Sequence, residues 1–185
     1  MEALLISTGA VAIAEIGDKT QLLAIFLAAR FRAPLPIVFG IFAATVLNHT
    51  FAAALGVVAG DFLSGEALRW ILAVSFLGMA IWTLLPDRLD DLLKVSGKSG
   101  AFAATLISFF LLEMGDKTQL ATVALAAHYK SIVTVAAGTT AGMLIADVPA
   151  VYLGEFAART IPLKLARMIA AVVFFALALA TLVFG

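Results

Sequence analysis

Two short acidic segments, Glu15-Ile16-Gly17-Asp18-Lys19-Thr20 and Glu113-Met114-Gly115-Asp116-Lys117-Thr118, lie 98 residues apart inside long apolar stretches. Each offers two carboxylates, an ammonium and a hydroxyl. Charge is expensive to bury in hydrocarbon, so two copies of one charged arrangement point to a functional polar site within a membrane. On an ideal helix at about 100° per residue, Glu15, Asp18 and Lys19 share an arc of roughly 100°, while Thr20 points elsewhere. The same spacing puts Glu113, Asp116 and Lys117 on one face, and a symmetric meeting of the two faces brings four carboxylates together. Converging oxygens suit a hard divalent cation such as calcium or manganese. Without a metal the carboxylates repel one another, so protons are natural substitutes and cation/proton exchange is the chemistry that follows. Lys19 and Lys117 then act as counter-ions.

Other polar residues fall in the same apolar stretches. Asp147 is the strongest candidate among them, and Pro149 just after it leaves the Ile145 carbonyl without its usual donor. Asn48 can offer its amide oxygen to a cation or make a hydrogen bond between helices. His49, which aligns with Asp147 at the 98-residue offset, can relay protons or pack, and packing is the favoured reading. Gln21 and Gln119 follow the two motifs and either ligate through oxygen or stabilise the bundle. Thr20 and Thr118 either coordinate or bond back to their own helix carbonyls. Gly17 and Gly115 serve close helix approach or a local unwinding that exposes carbonyls. Gly56-x-x-x-Gly60 and Gly138-x-x-x-Gly142 are read as packing surfaces.

The elements that position these residues follow from composition. Of 185 residues 63% are hydrophobic and 13% charged, and the mean hydropathy is +1.11, far from the balance of a soluble domain. A bilayer core about 30 Å thick needs roughly 20 apolar residues per span. Six such runs are expected: Leu4 to Ala29, Leu35 to Ala59, Ala67 to Leu85, Ala101 to Ala127, Ile132 to Leu153 and Leu163 to Phe184. They are too long and too evenly apolar for barrel strands, and helices satisfy their own backbone in lipid. Met1 to Ala29 has no early Lys or Arg and carries the first motif, so it is read as a retained helix rather than a signal peptide. A formal net charge of zero gives no argument for nucleic acid. The absence of cysteine excludes disulfides and thiolate metal sites.

Glu15 to Arg30 set against Glu113 to His128 gives ten identities in sixteen positions. The likeness continues through Gly40/Gly138, Leu55-Gly56/Leu153-Gly154 and Arg69/Arg167, so the chain is a duplicated three-helix unit. An odd number of spans inserts the second unit from the opposite side. The predicted fold is therefore an all-α membrane protein of six transmembrane helices in two inverted three-helix repeats, with a site near the midplane between them. Residues 1–87 form repeat 1, 88–99 a cytoplasmic linker and 100–185 repeat 2. Apart from the motif lysines, eight Lys and Arg residues fall on the linker's side and only Arg69 and Lys130 on the other. By the positive-inside rule both termini face away from the cytoplasm.

The paired motifs resemble the doubled E-x-G-D-[KR]-[TS] signature of a cation transporter family, whose eukaryotic members are Golgi calcium/manganese transporters and whose bacterial members include manganese exporters. Neither motif departs from the pattern, and the resemblance covers essentially the whole chain. It implies export of Mn²⁺, and of Ca²⁺ as a second candidate, from the cytoplasm across the inner (plasma) membrane in exchange for protons. It also implies Glu15, Asp18, Glu113 and Asp116 as the ion site. The partners implied are the divalent cation, protons and the lipid bilayer, with a homo-oligomer permitted and no resident cofactor. Three other readings stay open: an exporter of small cationic metabolites, an intramembrane hydrolase that holds a catalytic metal on the same carboxylates, and a purely structural membrane assembly factor. Against the second stand a lysine in each motif and the absence of H-E-x-x-H.

Overall fold

The computed structural model describes residues 1–63, 65–85, 100–153 and 163–184, and the expected linker, 88–99, lies outside them. The regular elements among the described residues are all helices: α1 (Glu2–Glu15), α2 (Lys19–Phe31), α3 (Pro34–Phe62), α4 (Gly65–Thr83), α5 (Ala101–Glu113), α6 (Lys117–Tyr129), α7 (Ile132–Leu153) and α8 (Leu163–Phe184). Two of the expected spans match α7 and α8 at both ends, and α3 and α4 lie within a few residues of expectation. The first and fourth do not persist as single helices. Each is two half-helices in series, broken inside the acidic motif.

The break has a local cause. Gly17 and Gly115 take φ of +80° and +76°, a left-handed backbone open to glycine and costly for a residue with a Cβ. Just before them Ile16 and Met114 turn extended, and just after them Asp18 and Asp116 are extended N-caps of α2 and α6. The step is closed by short turns, with the Asp18 N–H donating to Glu15 O and the Asp116 N–H to Glu113 O, both at 3.0 Å. This corrects the continuous-helix geometry: Glu15 and Asp18 do not share a helix face, because they terminate different helices.

Half-helices of 13 or 14 residues reach only about 20 Å, so none of them is long enough to cross a bilayer core alone. Among the described residues α3, α4 and α7 are long and apolar enough to cross alone. The halves also end alike. Arg32 and Lys130, 98 residues apart, adopt the left-handed C-cap with φ 50° and donate their N–H groups to Ala28 O and Ala126 O.

Packing turns the usual polarity inside out. Phe51, Val74, Val133 and Val172 are exposed, while Glu15, Asp18, Glu113, Asp116, Lys117 and Asp147 are buried. α1 lies along α7, α3 runs between α5, α6 and α7, and α4 packs on α8. The small-residue motifs are packing surfaces, as expected. A Cβ on Gly142 would stand 2.6 Å from Thr8 O and 2.9 Å from Ala12 N of α1, and one on Gly56 would collide with Val123 O of α6. Backbone contact this close brings α1 and α6, the two halves that flank the breaks, against α7 and α3.

Candidate metal centre

Because both helices break at the motif, the C-terminal ends of α1 and α5 present Glu15 and Glu113, and the N-terminal ends of α2 and α6 present Asp18 and Asp116. Helix C-termini carry partial negative charge and favour a cation. The N-termini carry the opposite charge, which the two capping aspartates offset. In α2 the Asp18 Oδ1 accepts the Lys19 N–H at 2.7 Å. Asp116 holds the same capping position in α6.

Three carboxylates converge. One oxygen each from Glu15, Glu113 and Asp116 lies within 4.8 Å of the others, and all three residues are buried. The fourth motif acid, Asp18, is in the same core with its Oδ2 paired to the Lys117 Nζ at 2.9 Å. The reciprocal pair joins the Lys19 Nζ to the Asp116 Oδ1 at 3.0 Å. Each lysine thus reaches the aspartate of the other motif. Buried carboxylates so close together are costly unless paired, and the crossed lysines supply two of the pairings.

Around this cluster the remaining candidates divide. Thr20 does not point away, as the ideal helix implied: with the backbone turned at Gly17, its hydroxyl donates to the Glu15 Oε2. The Thr118 hydroxyl is buried and has no hydrogen-bond partner among the described residues. Gln21 braces the first break, its Oε1 accepting the Gly17 N–H at 2.9 Å and its Nε2 donating to Ala146 O at 3.1 Å. Gln119 accepts the Gly115 N–H at 2.6 Å in the same way. The first break is buried and the second exposed, so the equivalent bonds sit in different surroundings. The Asn48 Nδ2 donates to Phe110 O at 3.0 Å, tying α3 to α5. Asp147 is fully buried, with neither oxygen hydrogen-bonded among the described residues, and lies within Coulombic reach of Glu15, Glu113 and Asp18.

His49, read as a packing residue, lies beside the cluster. It is fully buried on α3, and its Nε2 stands 3.3 Å from the Glu113 Oε2 without hydrogen-bond alignment. A usable signal lay in the repeat: His49 occupies the position that holds Asp147 in the second half.

The chain matches the family described as "Divalent cation/proton antiporter GDT1" over residues 3–91 and 101–185. It is also 51% identical over its full length to a protein of Vibrio cholerae serotype O1 named "Putative manganese exporter", covering 92% of that protein. No solved structure gives a significant match. The chain belongs to the divalent cation/proton antiporter family, so it is a multi-pass membrane transporter and not an enzyme, and the hydrolase and metabolite-exporter readings fall away.

Proposed function

We propose that this chain exports Mn²⁺ from the cytoplasm across the inner membrane in exchange for protons, with Ca²⁺ as a lesser cargo, by alternating access at Glu15, Asp18, Glu113 and Asp116. The observation that carries this reading is the approach of Glu15, Glu113 and Asp116 oxygens to within 4.8 Å across the two helix breaks. Membership of the antiporter family and the manganese-exporter name of the Vibrio cholerae relative support it.

In this reading the half-helix pairs α1–α2 and α5–α6 each count as one span, giving six spans in two inverted repeats, 1–87 and 100–185, joined on the cytoplasmic side by 88–99. Both termini face away from the cytoplasm, as the loop charges require, and lipid covers the apolar exterior. Broken helices whose ends meet near the midplane are the usual way for inverted-repeat transporters to hold an ion.

The charge balance explains the exchange. Five buried acids, Glu15, Asp18, Glu113, Asp116 and Asp147, face two lysines. With all acids ionised the excess is three negative charges, which a divalent cation reduces to one. When the cation leaves, the lysines hold the two aspartates and protons take up the remaining charge. Thr20 orients the Glu15 carboxylate, Thr118 and Asp147 line the path, and Gln21, Gln119 and Asn48 hold the backbone that frames it.

The test is Mn²⁺ flux into proteoliposomes under an imposed pH gradient. Glu15→Gln and Asp116→Asn are each expected to abolish it in protein that still folds. Undiminished flux in either variant would overturn the site assignment.

A further inference from the structure

We propose that His49 is a nitrogen ligand of the transported cation and sets the preference for Mn²⁺ over Ca²⁺; this rests on the site assignment proposed above. His49 is fully buried, and neither ring nitrogen has a hydrogen-bond partner among the described residues. A buried imidazole ordinarily fixes its tautomer through at least one hydrogen bond, and an unsatisfied buried polar group in a native fold calls for a functional reason.

The geometry supplies that reason. Nε2 lies 3.3 Å from the Glu113 Oε2, itself in the residue that joins Glu15 and Asp116 in the carboxylate cluster. The two atoms are misaligned for a hydrogen bond. In an octahedral shell with bonds of about 2.1 Å, neighbouring ligand atoms stand about 3 Å apart. Nε2 and Oε2 thus have the spacing of adjacent ligands at Glu113, and because His49 stands outside the Glu15, Glu113 and Asp116 set whose oxygens lie within 4.8 Å of one another, the ring closes onto the ion as the ion binds. The repeat points the same way, since the position of His49 in the first half is filled in the second by Asp147, another metal-ligating type.

The chemistry then separates the two cargoes. Ca²⁺ takes six to eight oxygens and gains little from imidazole. First-row transition ions accept mixed nitrogen and oxygen shells, with affinity rising from Mn²⁺ through Fe²⁺ and Co²⁺. A single imidazole among carboxylates thus favours Mn²⁺ over Ca²⁺ and makes Co²⁺ a stronger competitor than Ca²⁺.

Pulsed electron paramagnetic resonance of Mn²⁺ bound to the full-length protein in lipid nanodiscs reads the ligand directly. The expected spectrum shows ¹⁴N modulation from a coordinated imidazole, retained in His128→Gln, which alters the chain's other, exposed histidine. It is lost in His49→Gln. Should that variant fail to fold, labelling histidine with ¹⁵N in the His128→Gln background must replace the ¹⁴N pattern with that of ¹⁵N. In proteoliposomes His49→Gln is expected to raise the competition of Ca²⁺ against Mn²⁺ about tenfold, equivalent to about 1.4 kcal/mol of lost discrimination. Bound Mn²⁺ without histidine nitrogen coupling overturns the role of His49. No Mn²⁺ binding at all overturns instead the site assignment beneath it.

Discussion

Lys117 of the second motif reaches Asp18 of the first at 2.9 Å, with the lysine side chain 4% exposed and the aspartate fully buried. Its counterpart from Lys19 to Asp116 is as short, at 3.0 Å, but the Lys19 side chain is 21% exposed. The two halves are thus clamped by reciprocal bonds that differ in their access to water. Removing one partner of a buried pair leaves an uncompensated charge and costs about 3–5 kcal/mol, whereas a pair that water reaches costs less. Lys117→Met is therefore expected to lower the melting temperature in detergent more than Lys19→Met does. The double variant Lys117→Met/Asp18→Asn should recover much of the loss. Equal shifts for the two lysine variants would contradict this asymmetry.

No neighbouring side chain crowds the helix break at Gly115. A Cβ there would meet no atom within 4 Å, so the cost of Gly115→Ala is that of the positive φ, about 1–2 kcal/mol. Asparagine tolerates this region better than alanine. Gly115→Asn is expected to keep more stability and more flux than Gly115→Ala, as thermal unfolding and proteoliposome transport would reveal.

Gln21 makes two bonds that hold the first break, to the Gly17 N–H and to Ala146 O. Gln21→Met strips both partners in a buried setting, at about 1–3 kcal/mol for each group left unsatisfied. At the exposed second break water can replace the Gln119 oxygen. Gln21→Met should consequently unfold at a lower temperature than Gln119→Met, and the reverse order would refute the bracing role.

Close backbone contact between α1 and α7 leaves no room at Gly142, where a Cβ would sit 2.6 Å from Thr8 O. Overpacking of this kind costs about 1–3 kcal/mol. Gly142→Ala is expected to destabilise the protein, whereas Gly9→Ala, whose Cβ meets nothing within 4 Å, should leave it as stable or more so. Thermal unfolding of the two variants side by side distinguishes them.

Much of the architecture was legible because it depends on composition and repetition. Apolar length located α3, α4, α7 and α8 closely, and the 98-residue offset foretold matching features as local as the caps at Arg32 and Lys130. The helix breaks were only half legible. Glycine within an acidic motif permits either close packing or a turn, and the choice depends on whether the surroundings can satisfy the freed backbone groups. Here the side chains of Gln21 and Gln119 do so for the N–H groups of Gly17 and Gly115.

The sequence by itself determined that this chain is a membrane protein, that its two halves repeat one pattern, and that two sets of acids with two lysines lie within its apolar stretches. Those properties follow from burial cost, helix length and identity between the halves. Only the tertiary structure decided the partners: Lys117 with Asp18, Lys19 with Asp116, Thr20 with Glu15, and His49 beside Glu113. The reason is physical. Spacing along one helix governs neighbours within a turn or so, but once the backbone turns at Gly17 and Gly115 that rule lapses. Which charges then meet depends on how α1, α2, α5 and α6 pack around α3 and α7.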